Sequence, residues 1–228
     1  MDLVDSRQVV AERHVVSFDR LAPFYRGMEF VLAGGKMQRR RCAFLDEVKE
    51  SQTALLVGEG PGRFLIPLLR ANPRVQATCL ESSEGMTGEC RAALAQGGYS
   101  GADVDFVTMD ARRWVPPTGR YDLIATHFFL DCFPAEELRR VTQMLAAAGT
   151  PGGRWLISDF RLPPKGLSRL RARALLALMY GFFRAVTALP ARRLEPPDQY
   201  LEANGFRLAK RQLSDAGFLH SDLWIRSG

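Results

Sequence analysis

The chain lacks most of what would mark a metal, disulfide or membrane protein. Its 228 residues include three histidines, too few and too scattered to suggest a cluster. The four cysteines, Cys42, Cys79, Cys90 and Cys132, form no Cys-x-x-Cys pair. That spacing argues against a structural zinc site and against a disulfide framework, and it fits a reducing compartment. The longest apolar run, Ala174 to Phe183, has ten residues and includes a glycine, about half of what a bilayer span needs. Met1 to Asp19 is mixed and charged, unlike a secretory leader. Internal repeats, low-complexity tracts and linkers are also missing. What remains is an ordinary globular composition, 46% apolar and 25% charged, with a formal charge of +6. The length suits one substantial α/β domain spanning 1–228.

The informative stretch is Ala54-Leu55-Leu56-Val57-Gly58-Glu59-Gly60-Pro61-Gly62-Arg63. Its apolar run reads as a buried parallel strand, and Phe64, Leu65, Leu68 and Leu69 then recur at helical spacing. Glycine at every second turn position lets the backbone approach a ligand that a Cβ would push away. Free amides at the start of the next helix are expected to receive a polar or anionic group.

Further strands are expected at 75–80, 104–109, 121–126 and 154–160, with helices at 84–96 and 134–147 between them. Strands alternating with helices give a mostly parallel sheet with helices on both faces. Phe206–Ser214 and Phe218–Arg226, joined by Asp215-Ala216-Gly217, read as a hairpin that adds antiparallel strands. Residues 1–50 are expected to form an N-terminal helical cap. Within it, Lys36 to Lys49 reads as one helix with Arg39, Arg40 and Arg41 solvated. Residues 166–189 read as one long helix inside a 161–194 insertion that would lie over the substrate mouth.

In an open sheet of this kind ligands bind beyond the carboxyl ends of the strands. Those ends carry Gly58–Gly62, Glu81, Asp110 and His127. Glu81 lies 21 residues after Gly60, where a carboxylate can accept both ribose hydroxyls. Asp110 is placed to accept from an exocyclic amine such as adenine's. A nicotinamide dinucleotide would want a third glycine, but Arg63 and Leu65 occupy the candidate positions. Glu59 adds a negative charge unsuited to a pyrophosphate and suited to an ammonium group. A nucleoside carrying an amino acid tail fits better.

These features, Val57-Gly58-Glu59-Gly60-Pro61-Gly62 with Glu81 and Asp110, resemble the first motifs of class I S-adenosylmethionine-dependent methyltransferases. Phe18-Asp19-Arg20-Leu21-Ala22-Pro23-Phe24-Tyr25 is similar to the N-terminal segment of the ubiquinone/menaquinone-biosynthesis C-methyltransferase branch and its small-molecule relatives. The resemblance covers nearly the whole chain and implies a seven-stranded Rossmann-like fold. It implies S-adenosylmethionine as cofactor and S-adenosylhomocysteine as product. Gly58, Gly60 and Gly62 would lie beside the methionine moiety, with Glu59 near its amino group and Tyr25 approaching from the cap. Glu81 with Ser82 would hold the ribose, Met86 would pack on adenine, and Asp110 with Ala111 would bind its edge. His127 is the candidate general base, and packing near the site is its plain alternative. Asp131 would cap the helix after Pro134 or brace the site.

The expected acceptor is a small, hydrophobic molecule, and the expected compartment is the cytoplasm. The Asp/Asn-Pro-Pro-aromatic motif of amino-nitrogen nucleic-acid enzymes is replaced by Thr126-His127-Phe128-Phe129, so nucleic acid is set aside. No paired aspartates mark a catechol-type magnesium site, so no metal is expected. Residues 161–194 hold eight basic residues and no acidic one. This segment could cover an acceptor, touch anionic lipid or present solvated arginines on a packed helix. A cofactor-binding protein without catalysis and a nicotinamide-dependent oxidoreductase are the rival functions.

Overall fold

The computed structural model describes residues 35–187, 191 and 193–228. The Phe18–Tyr25 segment and most of the expected N-terminal cap lie outside the described residues.

Seven strands form one sheet: β1 (Thr53–Val57), β2 (Gln76–Glu81), β3 (Val104–Thr108), β4 (Tyr121–His127), β5 (Gly149–Phe160), β6 (Phe206–Ser214) and β7 (Leu219–Arg226). Their spatial order is β3-β2-β1-β4-β5-β7-β6. The first five run parallel, β7 lies antiparallel to β5, and β6 closes the edge as the hairpin partner of β7. The direction of winding reverses between β1 and β4, so a crevice opens at their carboxyl ends.

The helices are α1 (Lys36–Arg41), α2 (Leu65–Ala71), α3 (Glu84–Gln96), α4 (Ala135–Ala148), α5 (Gly166–Thr187) and α6 (Asp198–Ala203). The pleat divides the core. Along β1, Leu55 and Val57 face a cluster with Leu138, Val141 and Leu145 of α4 and Trp155 of β5. Ala54 and Leu56 face the other cluster, with Leu65 and Leu68 of α2 and Leu94 of α3. Side chains that alternate between two covered faces are why these strands read as continuous apolar runs. A third cluster joins Ala172, Leu176 and Tyr180 of α5 to Phe218 and Leu219.

Two local expectations need correction. The helix from Lys36 stops at Arg41 and is followed by turns and a 3-10 segment, Leu45–Glu47. Arg41 is buried rather than solvated, with its guanidinium 4.9 Å above the Phe128 ring. Because the helix stops there, the Arg40 carbonyl is available to accept from Ser158 Oγ and Ser221 Oγ, both at 2.8 Å. The fifth strand starts at Gly149 instead of Arg154. Gly152, at φ +72, and a register shift opposite Tyr121–Leu123 absorb the glycine pair as an irregularity within the strand.

Candidate functional site

The turn after β1 is built on positive φ at Gly58 (+66), Gly60 (+62) and Gly62 (+82). Each glycine has a different reason for lacking a side chain. A Cβ on Gly58 would lie 2.5 Å from the Phe129 ring, and one on Gly62 would press on Cys90 Sγ of α3 at 3.1 Å. Among the described residues, a Cβ on Gly60 would meet nothing within 4 Å, so this glycine faces open space. The first and third glycines therefore serve packing, and the middle one keeps room clear.

Two carboxylates grip this turn. Glu59 Oε1 accepts from the amides of Phe64 (2.6 Å) and Leu65 (2.7 Å), the entry to α2. The amides expected to be free for a ligand are thus already capped from within the chain. Burial pushes the Glu59 carboxyl up to about 7, against the pull of the Leu65 and Phe64 amides and the Arg41 charge. Glu81, ending β2, reaches across to the turn: Oε2 accepts from Gly60 N at 3.1 Å. Oε1 accepts from Ser83 N at 3.0 Å and, more loosely, from Ser82 Oγ at 3.4 Å. Burial also raises Glu81, while those donors favour its charged form.

Met86 is buried in the first turn of α3, where its amide donates to the Ser83 cap at 3.1 Å. Ala111 is buried beside β3's end. Asp110 is already engaged, because Arg112 donates to both of its oxygens through its side chain, at 2.6–3.0 Å, and to Oδ1 through its amide. Partial burial alone would raise Asp110, but the Arg112 bonds hold it below the usual carboxylate range. Gly58, Glu59, Gly60, Gly62, Glu81, Ser82, Met86, Asp110 and Ala111 thus all lie at the turn or at the carboxyl ends of β2 and β3. Tyr25 lies outside the described residues.

His127 ends β4, edge-on to Phe64 at 4.7 Å between ring centroids. Among the described residues, neither ring nitrogen has a hydrogen-bond partner. Burial, and then repulsion from Arg41, lower its pKa to about 3. The next residue, Phe128, takes φ +55, unusual for a bulky side chain and a local strain at the crevice.

Asp131 does not cap the following helix, whose N-cap residue is Pro134. It sits in a buried group instead. Its amide donates to Asp159 Oδ2 at 3.2 Å, and its carbonyl accepts from Tyr180 of α5 at 3.2 Å. Burial raises both carboxyls, Asp131 to about 6 and Asp159 well above its ordinary value, and the Asp131 charge adds to the rise at Asp159.

Sequence reasoning missed Asp159, Tyr180 and Arg41. Asp159 offered the same signal as Glu81 and Asp110, an acidic residue near a strand's carboxyl end. Arg41 falls four residues after buried Met37 and so shares its helix face. Among the described residues, no group of His, Cys, Asp and Glu could hold a metal ion, and no helix is long and apolar enough to cross a membrane.

Residues 54–153 match a family model described as a methyltransferase domain. No curated protein matches the chain. Among solved structures, mitomycin 7-O-methyltransferase superposes with a TM-score of 0.69 at 20% identity, covering 92% of this chain and 60% of that one. Magnesium protoporphyrin IX methyltransferase from Synechocystis, solved with bound S-adenosylhomocysteine, gives 0.69 at 21%, covering 92% and 96%. The cyclase SpnF gives 0.60 at 16%, covering 81% and 80%. This chain thus spans less than two thirds of the mitomycin enzyme's length. The likeness establishes a Rossmann-like methyltransferase fold, on which other chemistry also occurs.

Proposed function

We propose that the chain is an S-adenosylmethionine-dependent methyltransferase that acts on a small-molecule acceptor. The observation that carries this reading is the meeting of Glu81 with the open face of the turn, 3.1 Å from Gly60 N. A ribose-binding carboxylate and a glycine with clear space beyond its Cα lie side by side there. The methyltransferase-domain match over the same strands supports it.

The residues present fit the cofactor. Gly60 leaves room for the methionine portion, and Glu59 stands where an ammonium can approach its carboxylate. Glu81 with Ser82 serves the ribose, Met86 the adenine face, and Ala111 with Asp110 the adenine edge, Asp110 sharing its lone pairs with Arg112. Arg41, beside Glu59, adds a cation for the cofactor's carboxylate. We assign Tyr25 to the same methionine end. The bound cofactor supplies an electrophilic methyl group on a sulfonium. The chain's part is to align the acceptor with it and exclude water.

His127, neutral and weakly basic, suits packing better than proton removal. The acceptor site lies beneath α5, whose buried face with Phe128 and Phe160 favours a hydrophobic molecule. Arg63 and Leu65, in place of a third glycine, weigh against a nicotinamide cofactor. A binding protein without turnover is the second reading, since alignment of the methyl group demands no particular catalytic side chain.

Calorimetric titration of the chain with S-adenosylmethionine and, separately, NADH tests the assignment. Micromolar binding of the sulfonium nucleoside alone, weakened by about 1–3 kcal/mol in Glu81→Ala, is expected. NADH binding, or binding of neither, overturns it. Turnover with a panel of small acceptors then separates an enzyme from a binding protein.

A further inference from the structure

α5 has two apolar faces, and the fold uses one of them. Ala172, Leu176 and Tyr180 are buried against the hairpin. On the opposite side Leu167, Leu170 and Leu178 are 85%, 67% and 69% exposed. At 100° per residue these three fall within one sector, with exposed Ala174 between them. An amphipathic helix packed on a sheet ordinarily turns charge outward. Here leucines stand where that charge belongs, and a contiguous exposed apolar surface marks an interaction site.

The charges on the segment that carries the stripe have one sign. Residues 161–194 carry no acidic side chain. Arg169 folds back to the carbonyls of Pro163 and Pro164, and Arg171 pairs with Asp215 at 3.1 Å. These two therefore anchor the helix to the body. The side chains of Arg173 and Arg184, eleven residues apart on one flank of the leucines, have no hydrogen-bond or ion-pair partner among the described residues, and neither has the ammonium of Lys165 at the helix entry. A protein core offers little to a surface of leucines flanked by unpaired cations. The headgroup and acyl boundary of an anionic bilayer matches both parts at once.

We propose that the outer face of α5, through Leu167, Leu170 and Leu178 flanked by Lys165, Arg173 and Arg184, docks the protein on an anionic lipid surface. The helix then lies in the plane of the membrane, with its inner face over the acceptor crevice. A hydrophobic acceptor can pass from the bilayer to the crevice along α5. The docking itself requires neither cofactor nor acceptor and can be tested without either.

Sedimentation with phosphatidylcholine vesicles, with and without 30% phosphatidylglycerol by design, tests it on the full chain. Binding to the anionic vesicles only, falling as salt rises, is expected. Leu167→Asn/Leu170→Asn/Leu178→Asn and, separately, Arg173→Glu/Arg184→Glu should each lower it by on the order of tenfold. All five positions are exposed, so both variants should keep wild-type melting curves, which are recorded first. Equal binding to neutral vesicles, unchanged binding by both variants, or no binding overturns the proposal. A dimer in light scattering that the leucine variant dissociates, with no vesicle binding, also overturns it and assigns the face to a second copy of the chain. Failure of vesicle binding leaves the cofactor titration unaffected, so the two conclusions fail separately.

Discussion

Asp131 and Asp159 are joined through an amide-to-carboxylate hydrogen bond of 3.2 Å, and both carboxyl groups are buried under the Tyr180 end of α5. Burial raises the two groups, Asp131 from 3.8 to about 6. A raised carboxyl favours the folded state when protonated. Its contribution is complete below the ordinary pKa and is lost as pH rises through about 6. Thermal melts from pH 5 to 8 should therefore show wild type losing on the order of 1–1.5 kcal/mol more than Asp131→Asn across that window. Parallel curves for the two proteins would remove the buried ionisation from the account.

The three glycines of the turn should separate under substitution. Gly60→Ala places a methyl in open space and costs about 1–2 kcal/mol for the left-handed backbone. The variant stays folded, yet its affinity for S-adenosylmethionine drops by on the order of tenfold or more, because the methyl takes ligand room. Gly58→Ala adds a collision with Phe129 and loses stability and binding together. Calorimetry alongside melting curves distinguishes them. Full cofactor affinity in Gly60→Ala would show that this space is not the cofactor's.

Glu59 titrates at about 7, so about half of the unliganded molecules carry its proton at pH 7. An arriving ammonium favours the carboxylate, and cofactor binding should then release about half a proton per site at pH 7. Binding heats measured in two buffers of different ionisation enthalpy read this directly. Glu59→Gln serves as the control for protons exchanged by the cofactor itself. If the two proteins show the same buffer dependence, Glu59 does not meet the ammonium and acts only as the cap of α2.

His127 offers a clear decision about mechanism. With a pKa near 3 it stays neutral across the working range. His127→Asn should keep turnover within about fivefold, with both limbs of the pH profile unmoved. A loss of about a hundredfold or more in a variant that binds cofactor normally would restore it as the base.

The parts of the molecule that follow from local periodicity were legible in the sequence. β1, the glycine turn, α3 and the closing hairpin are written in short apolar runs, in glycine spacing and in helical periodicity. What escaped depends on contacts distant in sequence. Arg41 reads as a third surface arginine until Phe128, 87 positions later, comes under it. The Lys36 helix stops early, and the Arg40 carbonyl at its end meets Ser158 and Ser221 on two strands of the sheet. Asp131 looks like a helix cap from its neighbours and becomes a buried brace only once Asp159 is beside it. Glu59 showed the limit most clearly. Its charge reads as aimed at a ligand, while its oxygen also closes the helix that the glycine turn leads into.

The place of β7 between β5 and β6 has a consequence for biosynthesis. On a translating ribosome, residues 149–160 are made some sixty positions before their partner in 219–226. For that interval β5 has an unpaired edge, a template on which neighbouring nascent chains can add a strand. Folding of the parallel half can begin early, but that edge is sealed only when the hairpin arrives. Slow synthesis through 161–218, or premature termination within it, should therefore favour inclusion bodies.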